Sequence, residues 1–265
     1  NWESDKLAQL YFHSEVPVTE KCFKYYNITD TDALKSILLR TKCGRSFGIN
    51  DIKSDLKTSR TDSGVKAKLY QKARKRTPLI YLLRNSIWNL SNWNNKKLNN
   101  WIDEFKPEAV FFASGDYSFS YKIALKIAKK RNIPLYISCM DDYYFYNINH
   151  KSILGKLQHR LFMNYVKRTI DYSKCIFTIC DKMTKDYSIY FKKPCYTIHN
   201  PYSISVSSEK KENKIVYLGN LGYNRHIQLV SIGQALKKAQ LPNIPSHMYV
   251  YSSESQPEIL KDLTI

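Results

Sequence analysis

Acidic residues are scarce in this chain relative to basic ones. Its 265 residues include 23 Asp and Glu against 42 Lys and Arg, so the formal net charge at pH 7 is +19. A positive charge of this size predicts an anionic partner, which can be a membrane surface, nucleic acid or a phosphorylated substrate. The charge by itself does not distinguish among these partners.

Long apolar runs are also lacking. The best candidate, Leu79 to Leu83, is far shorter than the roughly 20 residues that a membrane-spanning helix needs. We therefore expect no membrane-spanning segment. Hydrophobic residues nevertheless make up 43% of the chain, which is enough for a buried core.

Cysteine occurs six times but never in a Cys-x-x-Cys pair. Several cysteines lie in apolar, strand-like runs such as Cys175 to Cys180, where a free thiol behaves as a small hydrophobic side chain. This usage predicts a cytoplasmic protein without a disulfide framework or a zinc site.

The first part of the chain is informative mainly about packing. Because Asn1 is not a Met, we expect the natural protein to begin earlier. The pattern predicts a helix from Ser4 to Phe12 and another over residues 33–40, the second capped by Asp30 or Thr31.

A strongly basic segment follows, over residues 53–76, and it ends in the cluster Lys72, Arg74, Lys75 and Arg76. Thr77 and Pro78 then predict a helix start, as cap and first residue. This helix has an apolar face formed by Leu79, Leu82, Leu83, Ile87 and Leu90. Three tryptophans accompany or follow it: Trp88, Trp93 and Trp101. Two interpretations stay open: an element that binds the cytosolic face of an anionic membrane, or a solvated charge run before a buried helix.

Strands and helices alternate regularly after Lys106. The predicted elements are a strand over 108–113, a helix over 118–131, a strand over 134–139, a helix over 151–172, a strand over 175–179, a helix over 181–191 capped by Asp181, and a strand over 195–199. This order predicts an α/β fold with a parallel sheet and right-handed crossovers.

Ligands of such sheets bind beyond the carboxyl ends of the strands. The residues there are Ser114, Gly115 and Asp116, then Met140, Asp141, Asp142, Tyr143 and Tyr144, then Cys180, Asp181 and Lys182, and finally Asn200. A carboxylate of Asp141 or Asp142 could accept a proton from a hydroxyl or hold a sugar hydroxyl. Alternatively, it caps the helix that follows.

The stretch from Lys214 to Ala239 predicts a strand, a glycine-bearing turn and a helix in direct succession. Residues 215–218 form an apolar run typical of a strand covered on both faces. Gly219 and Gly222 allow a tight turn that faces the helix start, and Arg225 follows them. An anion between turn, helix N-terminus and Arg225 could be bound without a metal. The alternative is an ordinary strand-to-helix connection. A further strand is predicted over 247–251.

This stretch resembles the strand-Gly-Arg/Asn-Leu unit that opens the donor domain of one enzyme family. The family is that of the retaining, nucleotide-sugar-dependent glycosyltransferases of the GT-B fold (family 4-like). The matching residues are Gly219, Asn220, Leu221 and Arg225. Residues 196–202, which include Asn200, resemble the interdomain crossing of the same family. The resemblance implies a Rossmann-like acceptor domain over residues 1–200, a linker over 201–213, and the beginning of a nucleotide-sugar-binding domain over 214–265, which we expect to be incomplete.

The resemblance also implies roles for single residues. Gly219, Asn220, Leu221, Gly222, Arg225 and Asn200 would bind the donor, Asp141 and Asp142 would be catalytic, and Gly115, Asp116, Tyr143 and Tyr144 would line the acceptor side, with no metal or other cofactor. The chain departs from the family at two places: Met140 precedes Asp141 where His-Asp is usual, and Glu254 and Glu258 do not have the Glu-(seven residues)-Glu spacing of the donor site.

The expected function is therefore that of a glycosyltransferase that moves a sugar from a nucleotide-sugar to a surface polysaccharide or glycolipid, at the inner face of the plasma membrane. Two alternatives stay open. One is a basic protein that binds nucleic acid or another polyanion, although no RNP, KH or helix-turn-helix pattern is present. The other is a glycosyltransferase-like subunit without catalysis.

Overall fold

The computed structural model describes residues 3–15, 17, 21–48, 77–145, 152–199, 213–222, 224–239, 245, 247–252, 259, 261 and 263. The chain forms two compact units, Asn1–Asn200 and Pro201–Ile265. The basic cluster Lys72, Arg74, Lys75 and Arg76, the predicted linker over 201–212 and Asn200 lie outside the described residues.

The first unit opens with a small three-stranded sheet. A 3-10 turn at Ser4–Lys6 precedes β1 (Ala8–Tyr11), β2 (Lys24–Asn27), α1 (Asp30–Leu38) and β3 (Arg45–Gly48). Strand β2 lies in the middle, parallel to β1 and antiparallel to β3. The predicted helix over Ser4 to Phe12 is therefore wrong, because pairing with β2, more than ten residues away in sequence, holds residues 8–11 extended.

Helix α1 begins earlier than predicted. Its cap is Thr29, which forms a capping box with Asp32: the Asp32 N–H donates to Thr29 Oγ1 at 3.1 Å, and the Thr29 N–H donates to Asp32 Oδ2 at 2.9 Å. The two reciprocal bonds satisfy backbone donors that a helix start leaves without partners. Asp30 and Thr31 lie inside the helix rather than at its cap.

Between the two sheets in sequence, the described residues form two helices, α2 (Pro78–Leu90) and α3 (Lys96–Phe105). The predicted start of α2 is confirmed, since Thr77 caps it and Pro78 is its first residue. Trp88 and Trp93 are buried, with 1% and 4% of their surface exposed, so these rings belong to the core and not to a surface element. Helical periodicity instead turns Leu79, Leu83 and Leu90 outward.

The second part of this unit confirms the predicted parallel α/β organisation, which is Rossmann-like. Four strands lie in the order β4-β5-β6-β7, and every neighbouring pair is parallel. The elements are β4 (Val110–Ser114), α4 (Ser118–Arg131), β5 (Leu135–Cys139), α5 (Ile153–Tyr172), β6 (Cys175–Thr178), α6 (Asp181–Phe191) and β7 (Cys195–Thr197).

Helices α4, α5 and α6 cover one face of the four-stranded sheet. Their apolar side chains pack on Phe112, Ile137 and Ile176 of the central core. On the opposite face the rings of Phe111 and Phe177 lie 6.0 Å apart, and those of Phe177 and Tyr196 lie 6.1 Å apart. The sheet thus has one helix-covered face and one face that carries a row of aromatic side chains.

The second unit contains β8 (Ile215–Leu218), α7 (Arg225–Ala239) and β9 (Met248–Tyr251), with β8 and β9 parallel. Both strands and the helix were predicted. The expectation that β8 is covered on both faces is wrong, since Val216 and Leu218 are 54% and 82% exposed. Alternate residues of a strand point to opposite faces, and here one of the two faces is exposed.

Candidate functional site

The carboxyl edge of the four-stranded sheet brings acidic side chains together. Asp116 follows β4, Asp141 and Asp142 follow β5, and Asp181 begins α6 directly after β6. Because the strands are parallel, these residues lie along one edge, which is where ligands of such sheets bind.

Gly115 and Asp116 form the part of the edge nearest α2. The Tyr81 hydroxyl of α2 donates a short hydrogen bond to Asp116 Oδ2, and the Tyr121 hydroxyl of α4 donates to the Gly115 carbonyl at 3.0 Å. A Cβ atom built on Gly115 would have no neighbour within 4 Å. The edge is therefore open above Gly115, and Asp116 is held from one side by a phenol.

A cation that the sequence analysis missed lies beside this part of the edge. The Arg84 guanidinium stacks on the Tyr117 ring at 3.8 Å and pairs with Asp30 at 2.9 Å. The Trp88 indole N–H donates to the same Asp30 oxygen at 2.7 Å. No sequence signal could have shown this arrangement, since Asp30 and Arg84 are 54 positions apart.

Asp141 and Asp142 have different surroundings, although both are exposed. The Tyr143 hydroxyl donates to Asp141 Oδ2 at 2.9 Å. Asp142 Oδ1 accepts from the backbone N–H of Phe145 and from the Tyr187 hydroxyl of α6, both at 3.0 Å. Among the described residues, Asp142 is thus fixed by two donors, whereas Asp141 is held by a neighbouring phenol that is itself half-buried.

Neither aspartate caps the following helix. Helix α5 begins at Ile153, and its cap is Ser152, whose hydroxyl accepts from the Gly155 N–H at 3.0 Å. The capping interpretation of Asp141 and Asp142 is therefore wrong, because the chain makes a turn at residues 143–145 instead of entering the helix directly.

Tyr144 is buried beneath the carboxyl edge of the sheet. Its ring is only 7% exposed, and its hydroxyl donates to the Tyr190 hydroxyl at 2.9 Å. The ring packs in a cluster with Phe145, Tyr187 and Phe191. Of the two tyrosines predicted to line the acceptor side, only Tyr143 thus remains partly exposed.

Burial changes the acidity of the groups beneath the edge. Desolvation, followed by the nearby Cys139 and Asp142, raises the pKa of Tyr187 far above its usual range. Burial also raises the pKa of the Cys139 thiol to about 11. At neutral pH both groups are protonated, so Tyr187 is a hydrogen-bond donor to Asp142.

Asp181 is held by a hydroxyl group of the next strand. Thr197 of β7 donates to Asp181 Oδ1 at 2.6 Å, and the hydroxyls of Thr184 and Thr197 lie 2.8 Å apart. The N-cap position of α6 is Cys180, which makes no side-chain cap bond. The prediction that Asp181 caps α6 is therefore wrong, because Thr197 engages the carboxylate.

The turn after β8 brings its predicted donor-site residues close together. Asn220 Oδ1 accepts from the Gly222 N–H at 2.5 Å, and the Asn220 carbonyl accepts from the Tyr217 hydroxyl at 2.7 Å and from Arg225 Nη1 at 3.4 Å. A Cβ atom on Gly222 would lie 2.7 Å from Asn220 Oδ1. A larger residue at this position would push away the Asn220 side chain, which folds over the turn.

Arg225 is the first residue of α7, and its side chain is exposed. The first turn of α7 carries no acidic residue, so no side chain of that turn offsets the positive end of the helix dipole. Leu221 is fully buried and anchors the turn to the unit. The turn, the helix start and Arg225 thus present one positive, solvent-facing surface.

All six cysteines are free thiols. Within the described part of the chain, no group of three or more His, Cys, Asp or Glu side chains could hold a metal ion. None of the described helices is long and apolar enough to cross a membrane.

Comparison with known proteins identifies no family. No protein-family model matches this chain, and no curated protein matches it.

Proposed function

We propose that this chain is the acceptor domain and part of the donor domain of a glycosyltransferase with GT-B organisation. The enzyme would transfer a sugar from a nucleotide-sugar to a glycan or glycolipid hydroxyl. The observation that carries the proposal is the arrangement in the second unit, where a glycine turn and Arg225, the first residue of α7, form one positive surface beside a parallel strand.

This surface would stabilise the leaving diphosphate electrostatically. As the bond between sugar and diphosphate breaks, negative charge grows on the leaving diphosphate. A guanidinium can pair with phosphate oxygens through two hydrogen bonds, and the positive end of a helix dipole favours an anion at the helix start. Groups that are already in position before charge develops stabilise the transition state more than the bound donor.

The first unit supplies the groups that an acceptor requires. Asp141 is exposed at the carboxyl edge of a parallel sheet, and its carboxylate is held by the Tyr143 hydroxyl. A carboxylate so placed can take a proton from an attacking hydroxyl. Asp142, fixed by Tyr187 and the Phe145 N–H, is suited to holding a sugar hydroxyl in one orientation.

The test uses the full-length native protein. Calorimetry with a panel of nucleoside diphosphates identifies the nucleotide, and release of that nucleotide from its sugar donors is then measured with and without a lipid-linked glycan acceptor. Acceptor-dependent release is the expected result. Binding without release would favour the non-catalytic subunit, and no binding of any nucleotide or nucleotide-sugar would overturn the proposal.

A further inference from the structure

A shallow groove between α4 and α5 is lined almost entirely by cations. Its volume is about 410 Å³, and its lining residues are Lys122, Leu125, Lys126, Lys129, Lys130 and Arg168. It lies on the solvent side of the helical layer, away from the carboxyl edge of the sheet. We call this set of residues the lysine groove.

Four of the five cations of the lysine groove have neutral partners. Lys122 Nζ donates to Asn89 Oδ1 at 2.6 Å and Lys130 Nζ to Asn99 Oδ1 at 2.8 Å. Lys126 lies over the Trp93 ring at 5.3 Å and Lys129 over the Tyr172 ring at 5.4 Å. Amide oxygens and aromatic faces orient an ammonium group without cancelling its charge.

Arg131 follows the lysine-groove residues of α4 in sequence but, unlike them, has an acidic partner. Its guanidinium is neutralised by Asp103 at 2.7 Å, whereas no ion pair among the described residues reaches the five cations of the groove. Basic residues in the last turn of a helix complement its dipole, which accounts for Lys129 and Lys130. Lys122, Lys126 and Arg168 lie outside that turn and need another explanation.

An apolar stripe adjoins the lysine groove. Leu79, Leu83 and Leu90 recur at helical spacing on the outer side of α2 and are 52%, 55% and 74% exposed. Helix α2 packs against both α4 and α5, and Asn89, the neighbour of Leu90, is the partner of Lys122. The end of the leucine stripe at Leu90 thus lies next to the residue that holds Lys122 of the lysine groove.

We propose that the lysine groove and the leucine stripe together form a peripheral binding surface for an anionic lipid bilayer. The cations would contact lipid phosphates and carboxylates, and the leucines would enter the boundary between headgroups and acyl chains. None of its residues belongs to the basic segment over residues 53–76. It does not depend on the transfer chemistry proposed above.

Two other occupants fit the surface less well. Nucleic acid gains little from aliphatic side chains, and single strands stack on exposed aromatic rings, whereas Trp93 beneath Lys126 is buried. In a two-fold dimer the same patch faces itself, so five cations would oppose five cations. An anionic bilayer offers phosphates and carboxylates to the cations and an apolar boundary to the leucines.

The experiment is vesicle co-sedimentation of the full chain, with phosphatidylcholine vesicles and with mixed phosphatidylcholine–phosphatidylserine vesicles. We expect binding to the mixed vesicles that weakens as salt is raised. Replacing Lys126, Lys129 and Lys130 together by Gln should weaken it roughly a hundredfold, on a contribution of about one power of ten or less per cation. The same three positions changed to Arg should retain binding.

A matched control changes Lys35, Lys185 and Lys237 to Gln, which removes the same charge from exposed positions on α1, α6 and α7. It should bind nearly as the wild type does. Leu83→Gln with Leu90→Gln should weaken binding by roughly tenfold, whereas Ile189→Gln with Ile232→Gln, at exposed positions elsewhere, should not. Thermal melts establish that each variant is folded.

Four outcomes would overturn the proposal. They are equal binding to neutral and mixed vesicles, equal losses in the groove and control triples, unchanged binding in the Leu83→Gln/Leu90→Gln variant, and random RNA binding that depends on the groove while vesicle binding does not. Because no nucleotide-sugar enters the assay, a failed transferase proposal would leave these results unchanged.

Discussion

The hydroxyl of Tyr187 donates a hydrogen bond to Oδ1 of Asp142 at 3.0 Å, between two residues that are 45 positions apart. The tyrosine ring is buried under the carboxyl edge of the sheet, and the carboxylate lies at its surface. The core therefore orients one of the two aspartates proposed to meet an acceptor.

Tyr187→Phe tests this contact. The variant loses one hydrogen bond to a partly solvated carboxylate, so the free energy of unfolding should fall by about 1 kcal/mol. Urea denaturation at neutral pH measures it. Tyr196→Phe, in a ring that is 55% exposed, is the control and should be close to neutral. Equal stability of the two variants would mean that the contact does not stabilise the fold.

Asp141→Asn addresses the acceptor side. If the carboxylate is the base of the proposed reaction, turnover of the full-length enzyme should fall ~100-fold or more, with little change in melting temperature because the side chain is exposed. Asp171→Asn, the same change at an exposed position at the end of α5, should leave turnover intact. Unchanged turnover in Asp141→Asn would remove this residue from the reaction.

Arg225 addresses the donor side. Arg225→Ala should lower turnover about a hundredfold, equivalent to roughly 3 kcal/mol of barrier, and should weaken nucleoside diphosphate binding by less. Arg225→Lys should recover part of the rate, since a lysine keeps the charge but not the two parallel hydrogen bonds. Calorimetry and steady-state kinetics measure the two effects. Identical affinities and rates in Arg225→Ala and wild type would exclude Arg225 from the site.

Two glycines with opposite surroundings form a matched pair. Gly44 has φ +89°, and a Cβ atom there would lie 2.5 Å from Tyr26 Cε1 and 2.9 Å from the Asn27 carbonyl. Gly44→Ala should therefore cost about 3 kcal/mol or more, from backbone strain and overpacking together. Gly115→Ala, with open space around the new methyl group, should be nearly neutral. Chemical denaturation measures the free energy of unfolding of both variants. An unchanged value in Gly44→Ala would contradict the predicted strain and overpacking at this position.

Stability should fall at alkaline pH. Burial raises the pKa of Cys43 from 9.0 to about 11 and that of Tyr26 from 10.0 to about 12. Between pH 9 and 12 the unfolded chain therefore binds fewer protons at these groups than the folded chain, and the free energy of unfolding decreases as the pH rises. The contribution of both groups is fully present below pH 9.

Cys43→Ala isolates one part of this effect. Between pH 9 and 11 its unfolding free energy should decline less steeply than that of the wild type, by up to about 1.4 kcal/mol per pH unit. Urea denaturation over a pH series gives both slopes, and absolute stability at neutral pH is not compared. Parallel slopes would show that the thiol ionises equally easily in both states.

Local pattern was sufficient for the elements that alternate regularly. The helix over 118–131, the parallel direction of β4 to β7 and the start of α2 at Thr77-Pro78 were predictable, because apolar periodicity, cap residues and short connections carry the information within a few residues. The strand, turn and helix around Gly219 and Arg225 were readable for the same reason. Helix starts were less predictable, as Thr29 and Ser152 show, because several polar residues near a helix start can all serve as its cap.

What the sequence determined by itself is therefore the α/β class, the parallel sheet and the identity of the residues at its carboxyl edge, all of which depend on short-range periodicity. Only the tertiary structure decided that residues 8–11 form a strand, that Tyr187 and Thr197 hold Asp142 and Asp181, and that Trp88 faces the core while Leu83 faces outward. These outcomes depend on partners 16 or more positions away in the sequence, and local periodicity carries no information about such partners.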